Sequence, residues 1–222
     1  MAVWDELRVI LTRLRDEQPG TLLQFPDPRY EDGPSPYEIV LAPAAAAIAE
    51  DLYGRFGDSV RLTVGHLPYP PGRESDRSFE HLTRPPPGEL LGPREAEIRL
   101  DGPATVRTGE TLHHGLLVRN LTRQVLPIAT NGNVTAVVVD PQTGQVAGGF
   151  AGAQTLPLIM FPVGPGNTER IPLLIGTASF RPELGYTVPP GSWGIQVPLD
   201  LEWDPYTRDR RRTPILPFTI TA

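Results

Sequence analysis

Between residues 97 and 221 the chain is a series of short apolar runs separated by turn sequences such as Asn131-Gly132 and Pro189-Pro190-Gly191. Runs of this length are typical of antiparallel β-sandwiches and barrels, and they are too short for the apolar stripe of a long helix. The run 136–139 lacks alternation, which predicts a strand that is covered on both faces. The predicted strands are residues 97–100, 111–120, 134–140, 145–150, 156–161, 169–175, 193–201 and 215–221.

The first 67 residues have a different pattern, with spacings typical of both helices and strands. From Trp4 onward apolar residues recur every three or four positions, which predicts an amphipathic helix over 2–17. A second helix is predicted over 43–56, because Pro43 suits the first turn of a helix. The strands on either side of this second helix could form a right-handed βαβ crossover. The predicted strands of this part are residues 21–25, 37–41 and 59–65.

Residues 68–95 are rich in proline and charge, and they include Pro85-Pro86-Pro87. Consecutive prolines favour polyproline II and lack the amide donors that helices and sheets need. We therefore expect a linker, or a strap that lies across a surface. The sequence predicts an α+β chain in three parts: a small α/β unit over 1–67, this linker over 68–95, and an antiparallel β-sandwich over 96–222.

The turn sequences of the C-terminal half resemble those of a known fold. Thr108-Gly109-Glu110-Thr111 and Gly164-Pro165-Gly166-Asn167-Thr168 each lead into a predicted strand, and Val188-Pro189-Pro190-Gly191-Ser192-Trp193 looks like the start of a penultimate strand. Over 108–201 this layout resembles bacterial immunoglobulin-like modules and is similar to the bacterial intracellular proteinase inhibitor domain. The resemblance implies an immunoglobulin-like sandwich. The chain departs from the inhibitor by extra residues between Phe150 and Pro162 and by its N-terminal α/β unit.

The absence of lysine and cysteine limits the chemistry that the chain can perform. All 20 basic residues are arginine, which stays protonated and cannot form a Schiff base or act as a general base. Without cysteine there is no disulfide, no thiolate nucleophile and no cysteine-ligated zinc. The glycine-rich stretch 148–153 has no following helix, so it predicts a bulged strand or a broad loop and not a phosphate loop. No nucleophile elbow is present, and we predict no catalytic residue and no cofactor.

The formal charge of −6 is spread unevenly over the chain. Residues 1–95 hold 16 acidic and 10 basic residues, whereas residues 96–222 hold 10 of each. Neither part has the basic excess expected of a nucleic-acid-binding protein. No apolar stretch reaches the roughly 18 residues of a transmembrane helix, so no membrane insertion is predicted. Because no signal-peptide pattern opens the sequence, a cytoplasmic location is expected.

Two sets of residues contain potential metal ligands. His113 and His114 are adjacent, so on a strand they point to opposite faces and cannot share one metal from those positions. Asp200, Glu202 and Asp204 alternate, and oxygen-rich clusters of this kind can bind calcium. Pairing of these carboxylates with the arginines that follow them explains the pattern better, and no metal is predicted.

The segment from Trp203 to Arg212 combines aromatic and basic residues and is the predicted interaction site. We place it at the turn between the last two strands. Exposed Trp, Tyr and Arg side chains are frequent anchors of protein interfaces. A solvated hairpin whose arginines pair with its own carboxylates is the competing interpretation. The predicted interaction residues are Trp203, Tyr206, Arg208, Arg210, Arg211 and Arg212.

The predicted function is therefore non-enzymatic: the binding or scaffolding of another protein, or self-association, through the loops of the sandwich. Two alternatives stay open. The resemblance implies proteinase inhibition as the first. The second is a hydrolase or carbohydrate-active enzyme, which requires at least two loop carboxylates that converge in a concave pocket with a raised pKa.

Overall fold

The computed structural model of the chain describes residues 3–26, 36–72, 81–154, 157–204 and 207–222. These residues are mostly β, and their strands form three sheets. The first sheet belongs to the N-terminal part. The other two enclose a common hydrophobic core, so the C-terminal part is a β-sandwich, as predicted.

The N-terminal part packs two helices on one face of a four-stranded sheet. Because the buried residues of each helix are three or four positions apart, they form one apolar stripe against the sheet. The two central strands are parallel and are joined through a helix, as expected of a βα crossover. The elements are α1 (Val3–Glu17), β1 (Leu22–Gln24), β2 (Tyr37–Leu41), α2 (Ala46–Phe56), β3 (Val60–Val64) and β4 (Leu67–Tyr69), and the sheet order is β1-β2-β3-β4.

The larger sheet of the sandwich has nine strands. Its central strand, β10 (Val134–Val139), contains the non-alternating run 136–139 and is buried along most of its length, which confirms the prediction of a covered strand. The strands are β6 (Ala96–Leu100), β7 (Thr105–Arg107), β8 (Thr111–Asn120), β10 (Val134–Val139), β11 (Val146–Gly149), β13 (Thr168–Gly176), β14 (Ala178–Ser179), β15 (Gly191–Gln196) and β18 (Leu216–Thr221). The main path is β6-β8-β13-β10-β15-β18-β7, and β11 pairs with β10 and β14.

The smaller sheet has five strands and forms the second layer. Its strands are β5 (Glu89–Leu90), β9 (Leu126–Thr130), β12 (Ile159–Val163), β16 (Pro198–Asp204) and β17 (Thr207–Arg212), in the order β12-β9-β16-β17-β5. Along β16 the residues Leu199 and Leu201 are buried in the core. Asp200 lies between them and faces away from the core, on what we call the outer face of this sheet.

The last four strands form one long hairpin, and its two arms cross from one sheet to the other at the same level. Strand β15 continues into β16 through Val197, and β17 continues into β18 through residues 213–215. Buried Thr213 accepts a hydrogen bond from the amide of Val197 through Oγ1 at 3.0 Å, and its own amide donates to the carbonyl of Val197 at 3.0 Å. These bonds satisfy the backbone where both ladders stop, so the chain can change sheets.

Several strand predictions are wrong in detail. The predicted strand 193–201 is two strands in different sheets, and residues 207–212, predicted as a loop, form β17. Strands β4, β5, β7, β9 and β14 were not predicted. Residue 156 of the predicted strand 156–161 lies outside the described residues.

Part of the proline-rich segment contributes to the sandwich. β5 pairs in parallel with β17, and Leu91 lies in the core with 2 % of its surface exposed. Gly88 has φ +101°, and a Cβ there would lie 2.0 Å from the carbonyl oxygen of Arg210, so only glycine allows this close approach. The segment therefore lies across the sandwich and continues its sheet.

The N-terminal sheet contacts the sandwich directly. The hydroxyl of Tyr186 donates to the carbonyl of Pro68 at 3.2 Å, and the rings of Tyr69 and Tyr186 stack at 6.1 Å. The division at 67/68 and 95/96 stays a prediction. Among the described residues no helix is long and apolar enough to cross a membrane.

Candidate functional site

The predicted interaction residues lie on the hairpin of β16 and β17. Trp203 belongs to β16, and Arg208, Arg210, Arg211 and Arg212 belong to β17. Tyr206 lies outside the described residues, as do the side chains of Trp203 and Arg208. The arginines therefore occupy successive positions of a paired strand and not an open turn.

Strand alternation separates these arginines onto two faces. Arg211 pairs across the ladder with buried Leu199, so its side chain lies on the core-facing side of the sheet. Arg210 pairs with Asp200, and Arg212 with Pro198, on the outer face. The predicted basic patch is therefore not one surface.

Arg211 makes several ion pairs within its own sandwich. Its Nε donates to Oδ2 of Asp209 at 2.7 Å, and its Nη atoms lie 3.4 Å from Glu95 and 3.9 Å from Glu89. The hydrogen bond to Asp209 is the main reason that the pKa of Arg211 is raised above its ordinary value. Two of these carboxylates come from the proline-rich segment, so Arg211 links that segment to the sheet. Its role in an interface stays a prediction.

The outer face holds weaker charge pairs. Nε of Arg210 lies 3.6 Å from Oδ1 of Asp200, and more than half of the arginine side chain is exposed. Nε of Arg212 is buried and has no hydrogen-bond partner among the described residues. Arg210 is therefore the arginine of this face that is accessible to solvent.

Of the three alternating carboxylates, Asp200 and Glu202 lie on the outer face, and the side chain of Asp204 lies outside the described residues. Asp209 of β17 lies opposite Leu201, so strand alternation places it on the other face. The register is irregular between Glu202 and Asp204. Within the described ranges no group of three or more His, Asp or Glu side chains could hold a metal ion.

The histidines take structural positions. His113 is exposed, while the half-buried ring of His114 lies 3.1 Å from the carbonyl of Gly115 and 3.3 Å from that of Pro103. The adjacent histidines therefore point to opposite faces, as predicted.

His66 joins the N-terminal sheet to the sandwich. Its Nε2 lies 3.0 Å from the carbonyl oxygen of Phe150, and its ring meets that of Phe180 edge-on at 4.7 Å. Because a carbonyl oxygen can only accept, Nε2 is the nitrogen that donates. Burial lowers the pKa of His66 below its ordinary value, and it outweighs the opposing effect of this hydrogen bond.

A cleft of about 380 Å³ lies beside His66, between the N-terminal sheet and the sandwich. Leu23, Val40 and Thr63 line its sheet side, and residues 151–153 line the other. None of the lining residues carries a carboxylate, so the cleft lacks the paired acids that hydrolysis would need. It is a separate feature from the predicted segment.

The glycine-rich stretch 148–153 is a bulged strand followed by a loop. The register of β11 against β10 shifts between Gly148 and Val146, which confirms the predicted bulge. A Cβ on Gly148 would lie 2.1 Å from the carbonyl oxygen of Ala178. The glycines here allow backbones to approach closely.

The free edge of β12 is a feature that the sequence interpretation missed. Among the described residues β12 pairs only with β9, and it forms one border of the five-stranded sheet. Leu158, Ile159 and Met160 follow one another there with 56 %, 41 % and 41 % of their surface exposed. Residues 157–163 include no charged side chain. The prolines at 157 and 162 were the signal that could have identified this edge, because proline within a sheet is largely confined to edge strands, strand starts and bulges.

Carboxyl groups give no support to the hydrolase alternative. In the described part of the chain, the carboxyls with a displaced pKa are Asp101, Asp140 and Glu183, and each pKa is lowered. The main causes are hydrogen bonds: from the Arg170 side chain to Asp101, and from backbone amides to the other two. A general acid would need the opposite shift.

Comparisons with known proteins give only distant structural similarities. No protein-family model and no curated protein matches the chain. Similar solved structures include a CARDB domain from Pyrococcus furiosus in complex with di-metal ions, with 11 % identity over 57 % of this chain and 94 % of that chain and a TM-score of 0.28. Spo0M, a sporulation control protein of Bacillus subtilis, has 9 % identity over 58 % of this chain and 49 % of that chain, with a TM-score of 0.32. A PapD-like domain of human CEP192 has 14 % identity over 66 % of this chain and 98 % of that chain, with a TM-score of 0.26.

All three TM-scores are below 0.5, so the β-sandwich assignment of the C-terminal half rests on the sheets and the core of this chain. The finer resemblance to the proteinase inhibitor domain stays a prediction.

Proposed function

We propose that this chain is a non-enzymatic protein-binding module, and that it binds an extended protein segment by strand addition along the free edge of β12. The observation that carries the proposal is the exposed run Leu158-Ile159-Met160 at the start of β12, a strand that pairs on one side only within the described part of the chain. An unpaired edge offers amides and carbonyls to another strand, and apolar side chains on it gain burial when that strand arrives.

The lack of charge on this edge supports a binding role. Natural sheets protect their edges with charged side chains, prolines or covering loops, because an open apolar edge invites association. This edge has prolines at 157 and 162 but no charged residue between them. Its three exposed residues are therefore a short and bounded site for pairing.

The predicted interaction segment lies on the same sheet as this edge. Met160 pairs with Ala129, which pairs with Asp200, which pairs with Arg210, so these residues form one row across the outer face. We propose that a partner strand on β12 continues over this face toward the hairpin of Trp203. The Arg210–Asp200 pair would then lie at the border of the interface.

The test is affinity capture with matched variants. The edge variant combines Leu158→Asp and Met160→Asp, which places two negative charges on the free edge, and the control combines Val3→Asp and Val9→Asp, which places the same charge on exposed positions of α1. We expect the edge variant to lose its specific partner and the control to retain it. Trp203→Ala should weaken capture if the hairpin contributes. Equal capture by wild type and edge variant would contradict the proposal, provided that circular dichroism shows both to be folded.

A further inference from the structure

The direction of the backbone groups on β12 follows from a pair of prolines. Pro162 of β12 lies opposite Pro127 of β9 in the antiparallel ladder. Neither residue has an N–H, so the two cannot be a pair that exchanges hydrogen bonds, and they must be a non-hydrogen-bonded pair. Their backbone groups therefore point away from each other. The carbonyl of Pro162 points to the free edge, and by the alternation of the strand so do the N–H and C=O of Met160.

Leu158 directly precedes β12 and is two residues from Met160. In an extended strand its backbone N–H and C=O therefore point to the same side as those of Met160. No hydrogen bond between described residues uses the backbone of Leu158. Extension of β12 by this residue would add a second outward N–H and C=O. The free edge then presents hydrogen-bonding groups at alternate residues, which is the spacing of a partner strand.

We propose that the strand that pairs with this edge belongs to a second copy of the chain, antiparallel to the first and related to it by a two-fold axis at Ile159. This inference rests on the proposed function and identifies its partner. In this register Leu158 of each copy lies opposite Met160 of the other, and each N–H meets a carbonyl. With the axis at Met160 instead, Leu158 would lie opposite Pro162, and its carbonyl would face a residue without an N–H.

Side chains support the same register. The Leu158 and Met160 side chains of the two copies would meet on one face of the joined sheet, and the two Ile159 side chains would meet on the other. Each exposed apolar residue of the edge would thus gain an apolar neighbour. Since residues 157–163 are uncharged, identical strands would meet without the like-charge repulsion that normally separates edges.

The size of the contact predicts a weak, reversible dimer. A stable interface buries about 1,600 Å² in total, which a single short strand and three apolar side chains per copy do not reach. The dimer should therefore form with rising concentration, and the chain should be monomeric when dilute. The joined edge would make a continuous sheet of two five-stranded halves.

Cysteine cross-linking tests the register, because the chain has no cysteine of its own. In Ile159→Cys the two cysteines would occupy a non-hydrogen-bonded pair with Cα atoms about 4.5 Å apart, within disulfide reach. Under mild oxidation this variant should form a covalent dimer quickly. The matched variant Leu158→Cys places its cysteines on a diagonal, beyond the roughly 7 Å limit between Cα atoms, and should cross-link slowly, as should Val9→Cys. A mixture of Leu158→Cys and Met160→Cys should cross-link quickly.

Equal cross-linking of Ile159→Cys, Leu158→Cys and Val9→Cys would overturn the two-fold register. Sedimentation velocity supplies the second measurement: the average mass of the wild type should rise with concentration, and Met160→Asp should abolish the rise. A wild type that stays monomeric at every concentration would overturn self-pairing. If the edge variant nevertheless loses capture of a different protein, the proposed function stands and only the second copy is excluded; if capture is also unchanged, both fail.

Discussion

Replacement of Leu91 by alanine tests whether the proline-rich segment is part of the sandwich. Leu91 is 2 % exposed and packs in the main core, directly after β5. Removal of a buried leucine side chain costs its transfer free energy and leaves a cavity, which together amount to about 3 kcal/mol. For a chain of this size each kcal/mol lowers the melting temperature by about 2–4 °C, so we expect a decrease of about 6–12 °C.

The neighbouring Leu90 supplies a matched control. It belongs to β5 but has 48 % of its surface exposed, so Leu90→Ala removes the same atoms with much less buried surface. We expect a loss below about 1 kcal/mol. Differential scanning calorimetry and urea unfolding of both variants measure the contrast. If Leu91→Ala and Leu90→Ala were equally stable, Leu91 would not be buried in solution and residues 81–95 would be a linker only.

Two further predictions concern His66 and Arg211. Because burial lowers the pKa of His66 below 6.5, the unfolded chain binds a proton more readily than the folded one. The free energy of unfolding should therefore fall as the pH drops through 6.5 and level off below the folded pKa. His66→Gln should remove this slope in urea titrations between about pH 5 and 8. Arg211→Met leaves Asp209 without its partner and should cost about 1–3 kcal/mol, whereas Arg210→Met, at an exposed pair, should change stability by less than about 0.5 kcal/mol. Equal effects of the two substitutions would contradict the structural role of Arg211.

Local sequence patterns were sufficient to predict the elements that keep one buried face along their whole length. β8 was predicted at residues 111–120 and has these bounds in the structure. Helix α1 also agrees with its prediction to within one residue. In both cases the alternation or the helical spacing of apolar residues reflects one buried face along the whole element.

Elements that change their environment were not predictable in this way. Residues 193–201 read as one strand because apolar residues recur throughout, but the chain passes to the other sheet at Val197. The partner that permits this change is Thr213, which is distant in sequence. Strand β17 has four arginines and was predicted as a loop; it is a strand because β16 lies on one side and β5 on the other.

For the candidate site, too, the sequence predicted the residues but not their surroundings. The sequence identified the arginines from 208 to 212, but it could not tell which of them face solvent. The ladder decides this, because it places Arg211 opposite a buried leucine and Arg210 opposite Asp200. The free edge of β12 was missed because a strand becomes an edge only through the order of its neighbours in the sheet.

By itself the sequence determined the β-rich C-terminal half, the helical and parallel-strand pattern of the N-terminal part, and the absence of lysine and cysteine chemistry. These follow from composition and from short-range periodicity, which can be read from the sequence without knowledge of tertiary contacts. The tertiary structure alone decided which arginines are bound internally, where the proline-rich segment lies, and which apolar strand has an unpaired side. Each of these depends on contacts between residues far apart in the chain, and such contacts leave no periodic trace in the local sequence.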